Sequence, residues 1–198
     1  MYKKTSAAFD SYVRSDSRHF EIRIRAGDKV VESDIISAKF CGGSNGGSDV
    51  AIGTTVSQYV DMRVYKPSIP LDGKELVIFI VGNGEEVPMG LFTASKPKVE
   101  RDVYEITAYD RMMKMERAFA SSLPDQTTTL DVLRQIGILT EVPVNVTGLT
   151  AVEMARPDGY TCREVLGYVA ELYGAFAVCD RSGAIQVTHC HASYRTYL

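Results

Sequence analysis

The feature that most constrains this chain is a run of strict two-residue alternations between residues 20 and 110. Phe20, Ile22 and Ile24 alternate with Glu21, Arg23 and Arg25. Val60, Met62 and Val64 alternate with Asp61, Arg63 and Tyr65, and Tyr104, Ile106 and Ala108 with Glu105, Thr107 and Tyr109. Successive side chains of a strand point to opposite faces, so each run reads as a strand with one face buried. Residues 35–40 add a strand candidate, and residues 76–81 are apolar on both faces, as in a central strand. Residues 26–29 read as a tight reversal and Gly82-Asn83-Gly84 as a closing turn, with a return strand expected over residues 91–95. Six or so short strands at this spacing predict a small antiparallel barrel or sandwich.

The pattern changes at Asp110, a candidate N-cap for a helical stretch holding Met112, Met113, Met115 and Phe119. After a linker at residues 121–125 containing Pro124, a helix is expected from Thr128, carrying Leu130, Leu133 and Ile136. Val142, Val144 and Val146 suggest a short edge strand that tolerates Pro143, and residues 147–157 read as loop. Thr161-Cys-Arg-Glu164 fits a capping box. The helix it opens puts Val165, Leu166, Val169, Leu172 and Tyr173 on one stripe and stops at Gly174. Residues 175–188 then give a hairpin around Asp180-Arg-Ser-Gly183. The fold class expected is α+β: an N-terminal arm at 1–19, an antiparallel β-barrel-like domain at 20–120, and a smaller α/β domain of helix-plus-hairpin units at 121–198.

Composition narrows the partners. The 198 residues are 45% hydrophobic and 24% charged, with a formal net charge of −3. A general nucleic-acid binder needs a basic surface to release counterions from phosphate. Residues 1–110 hold 14 basic and 16 acidic side chains, residues 111–198 hold 8 and 9, so neither half is polarised. The polar first 19 residues lack a signal-type apolar stretch, and residues 76–81 are too few to cross a bilayer. A cytoplasmic origin is expected, with Cys41, Cys162, Cys179 and Cys190 reduced.

The stretches that suggest chemistry are weak on inspection. Cys41-Gly-Gly-Ser-Asn-Gly-Gly-Ser-Asp49 lacks the lysine and following helix of a phosphate loop and leads back into strand. It reads as a mobile inter-strand loop; any function it has is expected to be ordering at a subunit contact in preference to catalysis, which makes Cys41, Asn45 and Asp49 candidate interface residues. Glu85 and Glu86, placed in a hairpin loop, join that set. His189-Cys190-His191 offers one ion two ligands at most, because alternate residues of a strand point oppositely. Cys179 and Cys190 have no base identifiable by spacing, and Cys179 follows an apolar strand where a buried thiol is ordinary. Glu85, Glu86 and Asp158 define no carboxylate pair without a separation, and Met112, Met113, Met115 and Met154 read as core filler. No catalytic, metal or cofactor site is expected.

Three blocks carry a resemblance. They are Ile52-Gly53 with the strand to Val64, and Val87-Pro-Met-Gly-Leu-Phe-Thr93 with Tyr104-Glu-Ile-Thr-Ala-Tyr-Asp110-Arg-Met112. The third is Thr161 to Ala177 with Asp180-Arg-Ser-Gly183. Together they resemble the tail hub family of bacteriophages and phage-derived particles, including the contractile defective-prophage type. The resemblance implies a structural role, not an enzymatic one. Such hubs form rings at the distal end of the tail tube, usually trimers with two similar barrels per subunit. Their barrels stack on the tube, other domains receive the spike or fibre, and DNA passage through the ring is implied without sequence-specific binding. The implied partners are other copies of the chain, the tail tube and spike or distal tail proteins, with no membrane insertion. The implied location is the host cytoplasm during assembly and the virion tail afterwards. By length, the chain matches the first barrel and part of the α/β region. Because some relatives carry wall-degrading domains, a tail-associated peptidase or cell-wall hydrolase, or a tail-tip binding module, is the alternative.

Overall fold

Val60, Met62 and Val64 are at most 2% exposed, while Tyr59, Asp61, Arg63 and Tyr65 between them face outward. The alternation in the sequence is therefore an alternation in burial. The computed structural model describes residues 5–31, 34–42 and 52–189. In chain order they form α1 (Ala7–Val13), β1 (Glu21–Ala26), β2 (Lys29–Val30), β3 (Asp34–Cys41), β4 (Thr55–Val56), β5 (Tyr59–Tyr65), β6 (Glu75–Gly82), β7 (Glu85–Ala94), β8 (Lys98–Glu100) and β9 (Val103–Asp110). A 3-10 helix (Arg111–Glu116) follows, then β10 (Gln126–Thr128), α2 (Thr129–Thr140), β11 (Val144–Asn145), β12 (Glu153–Ala155), α3 (Cys162–Leu172), β13 (Phe176–Cys179) and β14 (Ile185–Thr188). The fold is α+β, with one large antiparallel sheet and a few helices. It divides into two units that interleave along the chain. One comprises Met1–Gly42, Ser57–Met113 and Cys179–Ala184, the other Gly43–Val56, Lys114–Val178 and Ile185–Leu198.

The first unit is built on a sheet in the order β2-β1-β6-β7-β9-β5-β3, with β8 paired to β9. Its core face supplies Ile24, Val60, Val64, Leu76, Ile78, Phe92, Ile106 and Ala108 to one apolar cluster. Phe40 on β3 packs against that cluster, its ring 6.3 Å from Phe92 on β7, although β5 and β9 lie between those strands in the sheet. The sheet therefore curls over its own apolar face, which removes that face from water. It does not close into the expected barrel. Among the described residues no ladder joins the end strands β2 and β3, and β2, at two residues, presents almost no edge to pair.

The β6–β7 hairpin turns through Asn83 (φ 49°) and Gly84 (φ 74°), the two left-handed residues of a type I′ turn. β7 then starts at Glu85, earlier than the strand expected over 91–95, so Pro88, Met89 and Gly90 lie within the strand. The register explains it: Phe79 faces Pro88 and Ile78 faces Gly90, leaving Met89 as a one-residue bulge. Pro88 lies where β7 has β6 on one side only, so its missing N–H breaks no ladder. Gly90 is required by space, since a Cβ there would meet the Phe92 ring at 2.6 Å.

The N-terminal residues, read from sequence only as polar, include α1. Ser6 caps it by accepting from Phe9 N at 3.0 Å, and Phe9 packs against Phe20 with ring centroids 6.2 Å apart. A Cβ on Gly82 would come within 2.8 Å of the Phe20 ring, so the pair seats over that glycine. At the far end of β9, the buried Asp110 carboxylate accepts from Gln58 N (2.9 Å) and Met112 N (3.1 Å). One residue thus ends a strand, ties it to β5's approach and starts the 3-10 helix.

In the second unit α2 and α3 bury Val132, Leu133, Ile136, Val165, Leu166 and Val169. A small sheet runs β11-β14-β13-β4, with β11 parallel to β14 and β13 parallel to β4. The expected capping box forms: Thr161 Oγ1 accepts from Glu164 N, and Glu164 accepts from Thr161 N at 2.8 Å. Two readings are corrected. Residues 153–155 are not loop but strand β12, paired with β10, because the Thr127 backbone has no other ladder partner. Leu172 is 54% exposed and does not share the buried stripe of α3.

The strand expected from Gly53 to Val64 is split: β4 separates from β5 and pairs with β13. The Ile52-Gly53 block leads into β4, and Gly53 O lies 2.8 Å from where a Cβ on Gly167 would stand. Gly167 occupies the interior of α3, where glycine costs about 1 kcal/mol against alanine. The close passage of the backbone at Gly53 is what requires it.

Candidate functional site

The described residues display two features suited to assembly rather than chemistry, both in the first unit. The first is the outer face of β3, β5 and β9, where the registers set four rows. Asp34, Tyr65 and Val103 form one row, Ser37, Arg63 and Glu105 the next, then Lys39, Asp61 and Thr107, then Cys41, Tyr59 and Tyr109. Arg63 pairs with Glu105 at 3.4 Å and Thr107 Oγ1 donates to Asp61 at 2.7 Å. Tyr59 and Tyr109 stack obliquely at 6.1 Å, and Tyr65, Tyr59 and Tyr109 are each about two-fifths exposed. The Tyr59 phenol is raised above its ordinary value by its hydrogen bond with the Cys41 side chain, so it stays neutral. A shallow depression of about 350 Å³ opens on this face between Arg63, Tyr65 and the β8–β9 turn, where Lys66 and Asp102 pair at 3.2 Å. The face is tyrosine-rich and balanced in charge, a composition typical of protein contacts.

The second feature is the outer edge of β3, which has no strand partner among the described residues. It is eight residues long and carries Ile36, half exposed, at a register shift between Ile35 and Ser37. An unpaired strand edge is a template for another strand, and the bulge limits indiscriminate pairing.

Of the residues singled out from sequence, Cys41 lies at the end of β3 opposite Tyr59. Asn45 and Asp49 lie outside the described residues. Glu85 and Glu86 are not in a loop but open β7, and both are engaged. Ser6 N and Ser6 Oγ donate to Glu85. Glu86 pairs with Arg23 and, at 2.6 Å, with Arg25, whose guanidinium stands 4.8 Å from the Phe79 ring centre. His189 is exposed, while Cys190 and His191 lie outside the described residues.

Cys179 is 4% exposed, and burial, reinforced by the Asp110 carboxylate, pushes its thiol up to about 12. It is protonated throughout the neutral range and poorly suited to nucleophilic attack. Burial also raises the Cys162 thiol. Sequence reading missed the outer tyrosine face, although Tyr59, Tyr65 and Tyr109 sit at its polar positions. An aromatic repeated at outward positions was the available signal.

No family model matches this sequence, and no curated protein does. Its fold is nonetheless that of prophage tail proteins. It is similar to the 43 kDa tail protein of prophage MuSo2 from Shewanella oneidensis, at 15% identity and a TM-score of 0.59, covering 87% of this chain and 56% of that one. It is similar also to a tail protein from Neisseria meningitidis MC58 (15% identity, TM-score 0.56, 85% and 50% covered). A third similar structure is the prophage tail protein gp18 from Listeria monocytogenes EGD-e (9%, 0.50, 85% and 50%). The chain spans about half the length of the solved tail proteins it matches.

Proposed function

We propose that the chain is a structural component of a phage or prophage tail hub, docking the tail tube to the central spike assembly. The observation that carries this reading is the shared fold with the MuSo2 and Neisseria tail proteins over more than four-fifths of the chain. In this reading residues 20–120 are the tube-facing domain, residues 1–19 an arm, and residues 121–198 the domain turned toward the tip. Copies of the chain join in a ring, trimeric in the hub family, and the partners are the tail tube and spike or distal tail proteins. The protein assembles in the bacterial cytoplasm and ends in the virion.

The contact surface is the outer face of β3, β5 and β9 with the outer β3 edge, running from Cys41 into the stretch that holds Asn45 and Asp49. Glu85 and Glu86 contribute beside α1. Pairing a free edge with another chain satisfies its backbone groups without new structure, which suits a ring-forming part. The peptidase or hydrolase alternative gains nothing from Cys179, whose thiol is buried and protonated. Light scattering across concentration, with co-sedimentation on purified tail tubes, tests the proposal. Concentration-dependent association and tube binding are expected; a persistent monomer that ignores tubes overturns it.

A further inference from the structure

Helix α3 buries one face among Val165, Leu166 and Val169, and needs nothing more for the core of its unit. The flank of that face nonetheless carries large exposed apolar side chains. Tyr168 is 43% exposed and Leu172, one turn on, is 54% exposed. Tyr160, 42% exposed, stands edge-on to Tyr168 with ring centroids 5.2 Å apart. Ile52, 61% exposed, precedes Gly53, which packs on α3 at Gly167 and Glu171. A helix that satisfies its core with one stripe and shows a second apolar stripe to water has a partner for it.

The charged groups acting on Tyr168 are both acidic. Burial and the neighbouring Tyr160 push the Tyr168 phenol up, and Glu164 and Glu171 flank it closely enough to add to that rise. Glu164 is held below the ordinary glutamate range by the Thr161 amide and hydroxyl, so it remains ionised. Among the described residues Glu171 has no ion-pair partner. Between residues 114 and 178 eight acidic side chains stand against five basic ones. Arg134, Arg156 and Arg163 are already paired with Asp131, Asp125 and Glu116, and Arg117 donates to Leu139 O. The excess negative charge is left uncompensated within the unit.

We infer that the Tyr160–Tyr168–Leu172 face of α3 is a docking site for an apolar segment bearing lysine or arginine, supplied by another tail component. Tyrosines anchor such contacts through large area and little entropy loss, and the carboxylate rim selects cations and repels acidic chains or anionic lipid. The inference rests on the assembly role proposed above, but it uses a different surface from the β3 edge.

The test is an NMR titration of the full chain with an amphipathic helical peptide of leucine and lysine, and with its leucine–glutamate counterpart. Shifts confined to Ile52, Tyr160, Tyr168 and Leu172 are expected with the lysine peptide and none with the glutamate peptide. Y168S/L172S is expected to weaken binding about tenfold or more, and E171K, which changes only an exposed side chain, to weaken it and admit the glutamate peptide. Lysine-peptide shifts spread over the acidic surface, or binding indifferent to both variants, overturn the inference. Because these variants leave the β3 edge intact, they should retain tube association; an unaltered protein that binds tubes but shows no lysine-peptide docking rejects this site alone. Loss of tube association in the unaltered protein rejects the assembly role itself.

Discussion

The two units of this chain solve the same burial problem by different means. The first curls one antiparallel sheet over its own apolar face, so its core comes from alternate residues of long strands in continuous ladders. The second lays two helices on small sheets assembled from pieces far apart, with Thr55–Val56 pairing beside Ala177 and Val178. In the first unit stability is a property of ladder and side-chain period. In the second it depends on a few tight backbone passages and helix caps. Buried thiols report on each separately: Cys179 belongs to the first unit and Cys162 to the second. Their rates of labelling follow local opening.

The largest effect is expected from Leu76→Ala. Leu76 is fully buried on β6, a strand flanked on both sides, and its truncation should cost about 3 kcal/mol in urea unfolding. Cys179 should lose protection more than Cys162; equal loss at both would mean that the two units open together. Next comes Gly167→Val, which forces a side chain against Gly53 O and should cost about 2 kcal/mol. Here Cys162 should be the thiol exposed, and a neutral result would remove the tight passage from the account.

Acid should discriminate further. Hydrogen bonds from Thr161 hold the folded Glu164 carboxyl below its ordinary value, and a bond from Thr128, with Arg134 adding, does the same for Asp131. Their contribution is present above the ordinary carboxylate range and is lost as pH falls through the lowered folded values. Helical circular dichroism should therefore decline on acidification ahead of the sheet signal, and E164Q should blunt that decline. Simultaneous loss of both signals would refute the contrast. The smallest change in stability is expected for Arg63→Ala, within about 0.5 kcal/mol because the pair with Glu105 is solvated. Association with tail tubes should nevertheless fall, and unaltered binding would take the outer face out of the contact surface.

Legibility followed the same division. The β1, β5 and β9 runs could be read directly, since a half-buried strand writes its environment into every second residue. So could the capping box at Thr161 and Glu164, whose partners lie three residues apart. What escaped was non-local. Nothing near Thr55 announces that its strand partner lies at Ala177, and curling without closure depends on how far β2 extends. Leu172 was assigned to the core because spacing shows that a residue shares a stripe, not whether a neighbour covers it. At the candidate contact surface, Cys41 was located but the tyrosines were not, because an aromatic at an outward position looks like any tolerated exposure until three share a face.

The interleaving of the units bears on how the protein is made. The chain passes from one unit to the other five times, and the first unit takes its last piece from Cys179–Ala184. A ribosome delivers residues in order, so the strands of the curled sheet are all present once Asp110 is made, but its unit still waits for Cys179–Ala184. The second unit cannot be finished earlier, because β14 follows that segment. Neither unit is complete before residue 179 is made, and any contact surface that depends on a finished unit waits for that segment.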